Sequence, residues 1–162
     1  MDKLETLEAQ IAEMTRQEQE LQFTSFSNQT ALELGLIFIE RTRQEGKNVT
    51  IDIERHGQQL FHYAPAGTTP DNDQWIIRKK RVVNRFFKSS FHVGLLLQKA
   101  EKTIAERYFV DPLEYSAHGG AFPIIIQGVG VVGTIAVSGL PQQEDHALVV
   151  SVIREYLANR HS

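Results

Sequence analysis

Residues 118–150, HGGAFPIIIQGVGVVGTIAVSGLPQQEDHALVV, are the stretch on which the fold turns. Ile124, Ile125 and Ile126 make a short β-branched run closed by Gln127-Gly128. Residues 131–137 make a second apolar run after a spacer of a few residues, which predicts a β-hairpin. Within this second run Val131, Ile135 and Val137 share one face, while Val132, Thr134 and Ala136 share the other. Neither face is strongly polar, so helices are expected to cover the strand on both sides. Gly133, inside the strand, predicts close approach of a neighbouring element. His118-Gly119-Gly120 precedes the hairpin and Ser138-Gly139-Leu140-Pro141 follows it. Paired glycines permit positive φ and can leave backbone N–H groups uncovered. Glu144 and Asp145 stand where the first turn of a helix favours acids. Strand, glycine turn and helix start can together cradle an anion or another small ligand; they can equally be two ordinary tight turns.

The chain of 162 residues fits a single domain with a core that needs no covalent staple. It contains no cysteine, which excludes disulfides, zinc–thiolate sites, iron–sulfur clusters and a cysteine nucleophile. No signal-peptide pattern and no long uncharged apolar run is present, so a soluble, cytoplasmic chain without a membrane partner is expected. A formal net charge of −3 argues against nucleic acid as a partner.

Upstream of the hairpin, Leu4, Leu7, Ile11, Met14 and Leu21 follow a heptad register that Glu18 interrupts, among mostly acidic neighbours. This predicts an amphipathic helix with a narrow apolar seam, an arm over residues 1–22 leading into one domain over residues 23–162. Such a seam can lie on its own domain or pair with a second copy. A second helix starts near Ser27 or Asn28, shows a broad apolar face through Ala31, Leu34 and Phe38, and ends at Gly46. Val49, Ile51 and Ile53 alternate with Thr50, Asp52 and Glu54 as a half-buried strand, and Gly57 turns it into a hairpin with residues 60–64. Asp71 and Gln74 suggest a capping box for a third helix with Trp75, Ile76, Val82, Val83, Phe86 and Phe87 on its apolar side. That helix also carries Arg78, Lys79, Lys80, Arg81, Arg85 and Lys88, of which Arg78, Arg81, Arg85 and Lys88 share a face. The run reads either as a solvated face or as an anion site, arginine forks being suited to carboxylate or phosphate. Ser89-Ser90 separates a further apolar helix over residues 91–100, residues 101–117 show no clear pattern, and a last helix over residues 143–159 buries Val149, Ile153, Tyr156 and Leu157.

The histidines are His56, His62, His92, His118, His146 and His161, with no metal-binding motif or short-spaced cluster among them, so no metal site is predicted. His118 beside two glycines and His146 beside Asp145 sit at the two ends of the hairpin-and-helix unit. Each is open to a structural role, to acid/base chemistry or to haem ligation. Ser138 precedes a glycine, but the nucleophile-elbow pattern is absent.

HGGAFPI, GVGVVGTIAVSGLPQQEDH and the earlier FHYAPAGTTPDNDQWIIRKKRVV resemble an uncharacterised branch of the HbpS/GlcG-like family, often described as haem-degrading-domain proteins, which includes a fungal cytosolic member. The resemblance runs from about Asn28 to Leu157 on two long, separated motifs. It implies an α/β, profilin-like three-layer α/β/α fold with a central antiparallel sheet, here preceded by the N-terminal amphipathic helix. It also implies homo-oligomers, as dimers or assemblies of dimers. Relatives are associated with haem binding or breakdown, which brings in haem as a possible cofactor without assigning its iron to any one residue. The ligand site implied combines the TTPDNDQWIIRKK segment with the HGG and EDH turns: Trp75, Arg78, Lys79, His118, Gly119, Gly120, Asp145 and His146.

The leading expectation is a homo-oligomeric protein that binds haem or another small anionic molecule. The alternatives are an enzyme acting on a small acidic metabolite or on haem, with His118, His146 and Asp145 as catalytic candidates, and an oligomeric interaction or chaperone-adaptor protein. Arg78 is expected to meet a carboxylate, an anion or ordered water near Gly119 and Gly120, because a partly buried cation needs a partner.

Overall fold

The structure, a computed structural model, describes residues 2–160; His161 lies outside the described residues. The elements are α1 (Lys3–Glu20), α2 (Asn28–Gln44), β1 (Thr50–Arg55), β2 (Gln58–Tyr63), α3 (Pro70–Phe86), α4 (Ser90–Ala100), α5 (Ile104–Tyr108), β3 (Ala121–Ile126), β4 (Gly130–Ser138) and α6 (Gln142–Ala158). The strands form one antiparallel sheet in the order β2-β1-β4-β3.

Pleating decides what each face meets. Ile51 pairs with Val137 and Ile53 with Ile135, and Phe122 pairs with Ile135 on the other side of β4. These side chains pack against Ala31, Leu34 and Phe38 of α2 and Val149, Val152 and Ile153 of α6 in the main core. Leu34 and Phe38 are fully buried there, a contribution of roughly 1.5–3 kcal/mol each. On the opposite face Ala121 and Ala136 meet Ile76 and Val83 of α3. Both faces of β4 are therefore covered, giving the predicted three-layer α/β/α arrangement. Gly133 is where β1 comes too close for a side chain: a Cβ there would strike the Glu54 carbonyl. The outer edge of β3 is closed by Phe23, whose N–H donates to Ile125 O at 2.8 Å and whose O accepts from Gln127 N at 2.9 Å.

Local signals place most helix ends. Ser27 caps α2 in a reciprocal box with Thr30, and Gly46 follows with φ +66°. The start of α3 differs from the sequence expectation. Its cap is Thr69, paired with Asn72, two residues before Asp71, because Pro70 is preorganised for the first helical position. The short α5 occupies part of the stretch that carried no clear pattern, opened by a capping box of Thr103 and Glu106.

The α1 seam packs on its own chain: Leu7 and Met14 bury against Leu95 of α4 with Ile11 and Phe91 alongside, while Leu4 stays half exposed. Glu18, the break in the heptad, accepts hydrogen bonds from Ser89 N at 3.0 Å and His92 Nδ1 at 2.9 Å. It thereby caps α4 from outside. Among the described residues no helix is long and apolar enough to cross a membrane.

Candidate functional site

The first turns of α3 set out three side chains at helical spacing. Trp75 and Arg78, three apart, lie on one side, and the Arg78 guanidinium stacks 4.5 Å from the indole centroid. Lys79 turns inward and is 2% exposed. Its Nζ donates to Val137 O at 2.7 Å and Gly119 O at 3.1 Å, and Asp145 Oδ2 lies 3.5 Å away. One ammonium thus ties together α3, the HGG turn, the end of β4 and the start of α6.

This explains the paired glycines differently from an amide cradle. At Gly120, with φ +134°, a Cβ would collide with Lys79 Nζ, and at Gly119 one would collide with the Gln142 carbonyl. The Gly119 N–H is taken by Gln142 Oε1 at 2.9 Å. Close packing by Lys79 and α6 requires the glycines. Arg78 meets no protein carboxylate: it stacks on the Trp75 ring and among the described residues forms no ion pair. Cation–π attraction orients the guanidinium and leaves its N–H donors open to an acceptor.

Two cavities open beside this knot. The larger, about 490 Å³, has largely apolar walls from Phe91, Leu97, Ile104, Leu113 and Tyr115, with Arg78 and Ser116 contributing polar atoms. The smaller, about 300 Å³, is more polar, with Asp71, Asn72, Lys79, Ser138 and Asp145 in its lining. Trp75, His118 and Gln142 line both, so they form the wall between them. The edge of one ring meets the other across this wall, the Trp75 and His118 centroids lying 5.5 Å apart at 73°. Ser116 Oγ lies 2.7 Å from His118 Nδ1, which leaves Nε2 without a partner among the described residues.

Electrostatics follow burial. Asp145 is pushed up to about 6 by burial, against the pull of the Lys79 charge and the N–H groups of Leu140 and Gly139. Lys79 is lowered, again by burial, with Asp145 opposing. These directions run against the contact between the two groups, because desolvation outweighs pairing for both. Two carbonyls and a carboxylate around Nζ nonetheless keep Lys79 a cation near neutral pH. His118 is lowered by burial and then by the Lys79 charge, which favours neutral imidazole.

His146 lies elsewhere. Asp145 and His146 are neighbours on α6 and so project about 100° apart. Asp145 turns to Lys79; His146, 5% exposed, turns to α1 and α4. There Nε2 meets Gln17 Oε1 at 2.8 Å, the ring stacks on Phe91 at 5.1 Å, and Nδ1 is buried without a partner. Burial, then the charge of His92, lowers it to about 4. It lines neither cavity. The structure therefore gathers Trp75, Arg78, Lys79, His118, Gly119, Gly120 and Asp145 and leaves His146 out. Ser116 and Gln142 join them unanticipated. Their signals were thin, a serine two residues before a histidine and a glutamine opening a helix after proline.

The model of the family described as "Haem degrading protein HbpS-like" matches residues 26–154. The chain belongs to this HbpS-like family. Curated relatives include a UPF0303 protein of Streptomyces coelicolor, 48% identical over 147 residues that cover 91% of this chain and 93% of the relative. Another, from Serratia proteamaculans, is 47% identical over 144 residues, 89% of each chain. Among solved structures the Ybr137w protein superposes with a TM-score of 0.84 at 35% identity, covering 91% of this chain and 87% of that one. A PduOC–haem complex superposes at 0.67 with 15% identity, covering 80% and 94%, a likeness of fold alone.

The side chains of this HbpS-like chain suit a haem in kind. His118 has one uncommitted ring nitrogen, Arg78 supplies a cation, and the larger cavity falls in the small-molecule range of roughly 300–1,000 Å³. Haem, if bound, would supply an iron that accepts an imidazole nitrogen, and two propionate carboxylates for a cation to meet.

Proposed function

We propose that this HbpS-like protein binds a small, planar, anionic molecule of haem type in the larger cavity, against the Trp75–His118 wall. The observation that carries this reading is His118 Nε2, without a partner among the described residues, on a neutral imidazole at the rim of an apolar cavity whose other polar side chains include Arg78. In this reading His118 would offer Nε2 to the iron, Arg78 would offer its fork to a carboxylate, and Phe91, Leu97 and Ile104 would exclude water from the ring. Gly119, Gly120, Lys79 and Asp145 hold the wall in place. His146 holds α1 and plays no part in binding.

Binding ranks ahead of catalysis because Lys79 and Asp145, the buried ionisable pair at the site, are committed to one another and to backbone groups. A chaperone-adaptor role finds less support, since α1 spends Glu18 and its apolar seam on its own α4. The protein is proposed to act as a homo-oligomer, for which Phe109 and Leu113, 91% and 80% exposed, are candidate contacts.

Titration of the purified protein with haemin tests the reading. A saturable Soret shift is expected, abolished by His118→Ala, weakened by Arg78→Ala and unchanged by His146→Gln. No saturable shift, or a shift indifferent to His118→Ala, contradicts it.

A further inference from the structure

Ser116 is 7% exposed and belongs to the segment that carries the chain from α5 to the HGG turn. Its N–H donates to the Arg78 carbonyl at 3.2 Å, which fastens the segment to α3. Its hydroxyl reaches His118 Nδ1 at 2.7 Å, within the normal range for a strong hydrogen bond. The main chain of Ser116 is therefore held by the helix that carries Arg78 and Trp75, and its side chain holds the imidazole.

We propose that Ser116 is the positioning residue of this site, setting the plane of the His118 ring and the nitrogen on which its proton rests. The proposal rests on the reading that His118 Nε2 meets the ligand. A neutral imidazole carries one N–H. When Nε2 gives its lone pair to a metal or takes up a proton, the ring must hold a proton on Nδ1, and that N–H needs an acceptor. Ser116 Oγ is that acceptor. Because a hydroxyl also donates, it can satisfy Nδ1 as a lone pair before the ligand arrives, turning only its own hydrogen between the two states. A carboxylate in its place would accept the same N–H but, when ionised, could not donate to Nδ1 before the ligand arrives. Partners of this kind fix the tautomer and orientation of ligating histidines, and their loss typically costs about 10–100-fold in affinity. Trp75 packs on the ring from another side and, among the described residues, makes no hydrogen bond to it that could select a tautomer.

The test uses the whole chain. Imidazole ¹⁵N spectra of the haem-free protein are compared for wild type, Ser116→Ala, Ser116→Thr and Ser116→Cys, with haemin affinity measured on each. Ser116→Ala is expected to shift the His118 tautomer ratio while leaving His62 and His92 unmoved, and to weaken haemin binding about 10–100-fold. Ser116→Thr restores both. Should Ser116→Ala fail to fold, Ser116→Cys, which keeps the volume and weakens the hydrogen bond, is expected to give the same pattern in smaller degree. An unchanged His118 spectrum in both Ala and Cys variants overturns the proposal, as does lost affinity with an unmoved ring. If wild type binds no haemin, the ligand reading fails, while the tautomer comparison still decides what Ser116 does.

Discussion

Lys79 and Asp145 face one another across 3.5 Å beneath the HGG turn, with side chains 3% and 4% exposed. Both groups are shielded from bulk solvent. The cation divides its hydrogens between two carbonyls and the carboxylate, and Asp145 Oδ1 accepts from Leu140 N at 3.1 Å. The pair is the joint between α3, the turn and α6, so the cavity wall depends on it.

Removing one member strands the other. Lys79→Met is expected to destabilise the protein by about 3–5 kcal/mol, the cost of a buried charge without its partner. The double change Lys79→Met, Asp145→Asn is expected to recover more than half of that, since Asn retains an acceptor for Leu140 N. Urea unfolding of both variants at neutral pH measures the coupling; additive losses would show that the pair is not a unit.

Gly120 combines φ +134° with a Cβ direction already filled by Lys79 Nζ and the Val137 carbonyl. Gly120→Ala is expected to cost upward of about 1–3 kcal/mol, from backbone strain with displacement of Lys79 added. Gly128→Ala, with φ +77° but open space around it, is expected to cost less. Melting temperatures of the two variants compare packing with strain alone.

Two buried groups tilt the pH dependence in opposite senses. His146 is held near 4 when folded, against 6.5 unfolded, so the unfolded chain binds the proton first and stability falls as pH drops through that window. Asp145 is raised from 3.8 to about 6, so the folded chain binds the proton first and its share of stability is lost as pH rises through that window. Relative to wild type, His146→Gln should therefore gain stability as pH falls from 6.5 to 4, and Asp145→Asn should gain as pH rises from 4 to 6. Unfolding free energies measured across pH 4 to 7 check both signs.

Glu18 and Gln17 hold the arm through His92 and His146. Glu18→Ala removes a charged cap from Ser89 N–H and His92 and is expected to cost about 1.5–3 kcal/mol. Hydrogen exchange in the first turn of α4 is expected to quicken with it, while exchange in β4 stays as in wild type. Uniform quickening of both would show that α1 and the domain unfold together.

The elements with a strong period were legible in the sequence. Alternation through Val49, Ile51 and Ile53 and the two-sided β4 specify an antiparallel sheet, but Thr50 and Asp52 are buried too, where the alternation predicts a half-buried strand. The site was legible only in part. Trp75, Arg78 and His118 meet because two separated motifs converge, but whether a lysine turns inward depends on what lies across the sheet. Lys79 and Lys80 illustrate it: Lys79 reaches backbone carbonyls by the HGG turn, whereas Lys80 meets Asp52 and Glu54. His146 stands next to Asp145 in sequence and yet serves another interface, as helix geometry sends neighbours to different sides. Glu18 looked like a flaw in a heptad because its partners lie 71 and 74 residues away.

Amide spectra recorded with and without one equivalent of haemin test the central claim most directly, since ferric iron broadens nearby resonances. Broadening is predicted to centre on Gly94, Leu97, Ser116, Ala117 and His118, with the indole N–H of Trp75, the only tryptophan, lost alongside them. His118→Ala is predicted to remove this pattern. Broadening centred on α2 and β2, or persisting around the cavity without His118, would contradict the account.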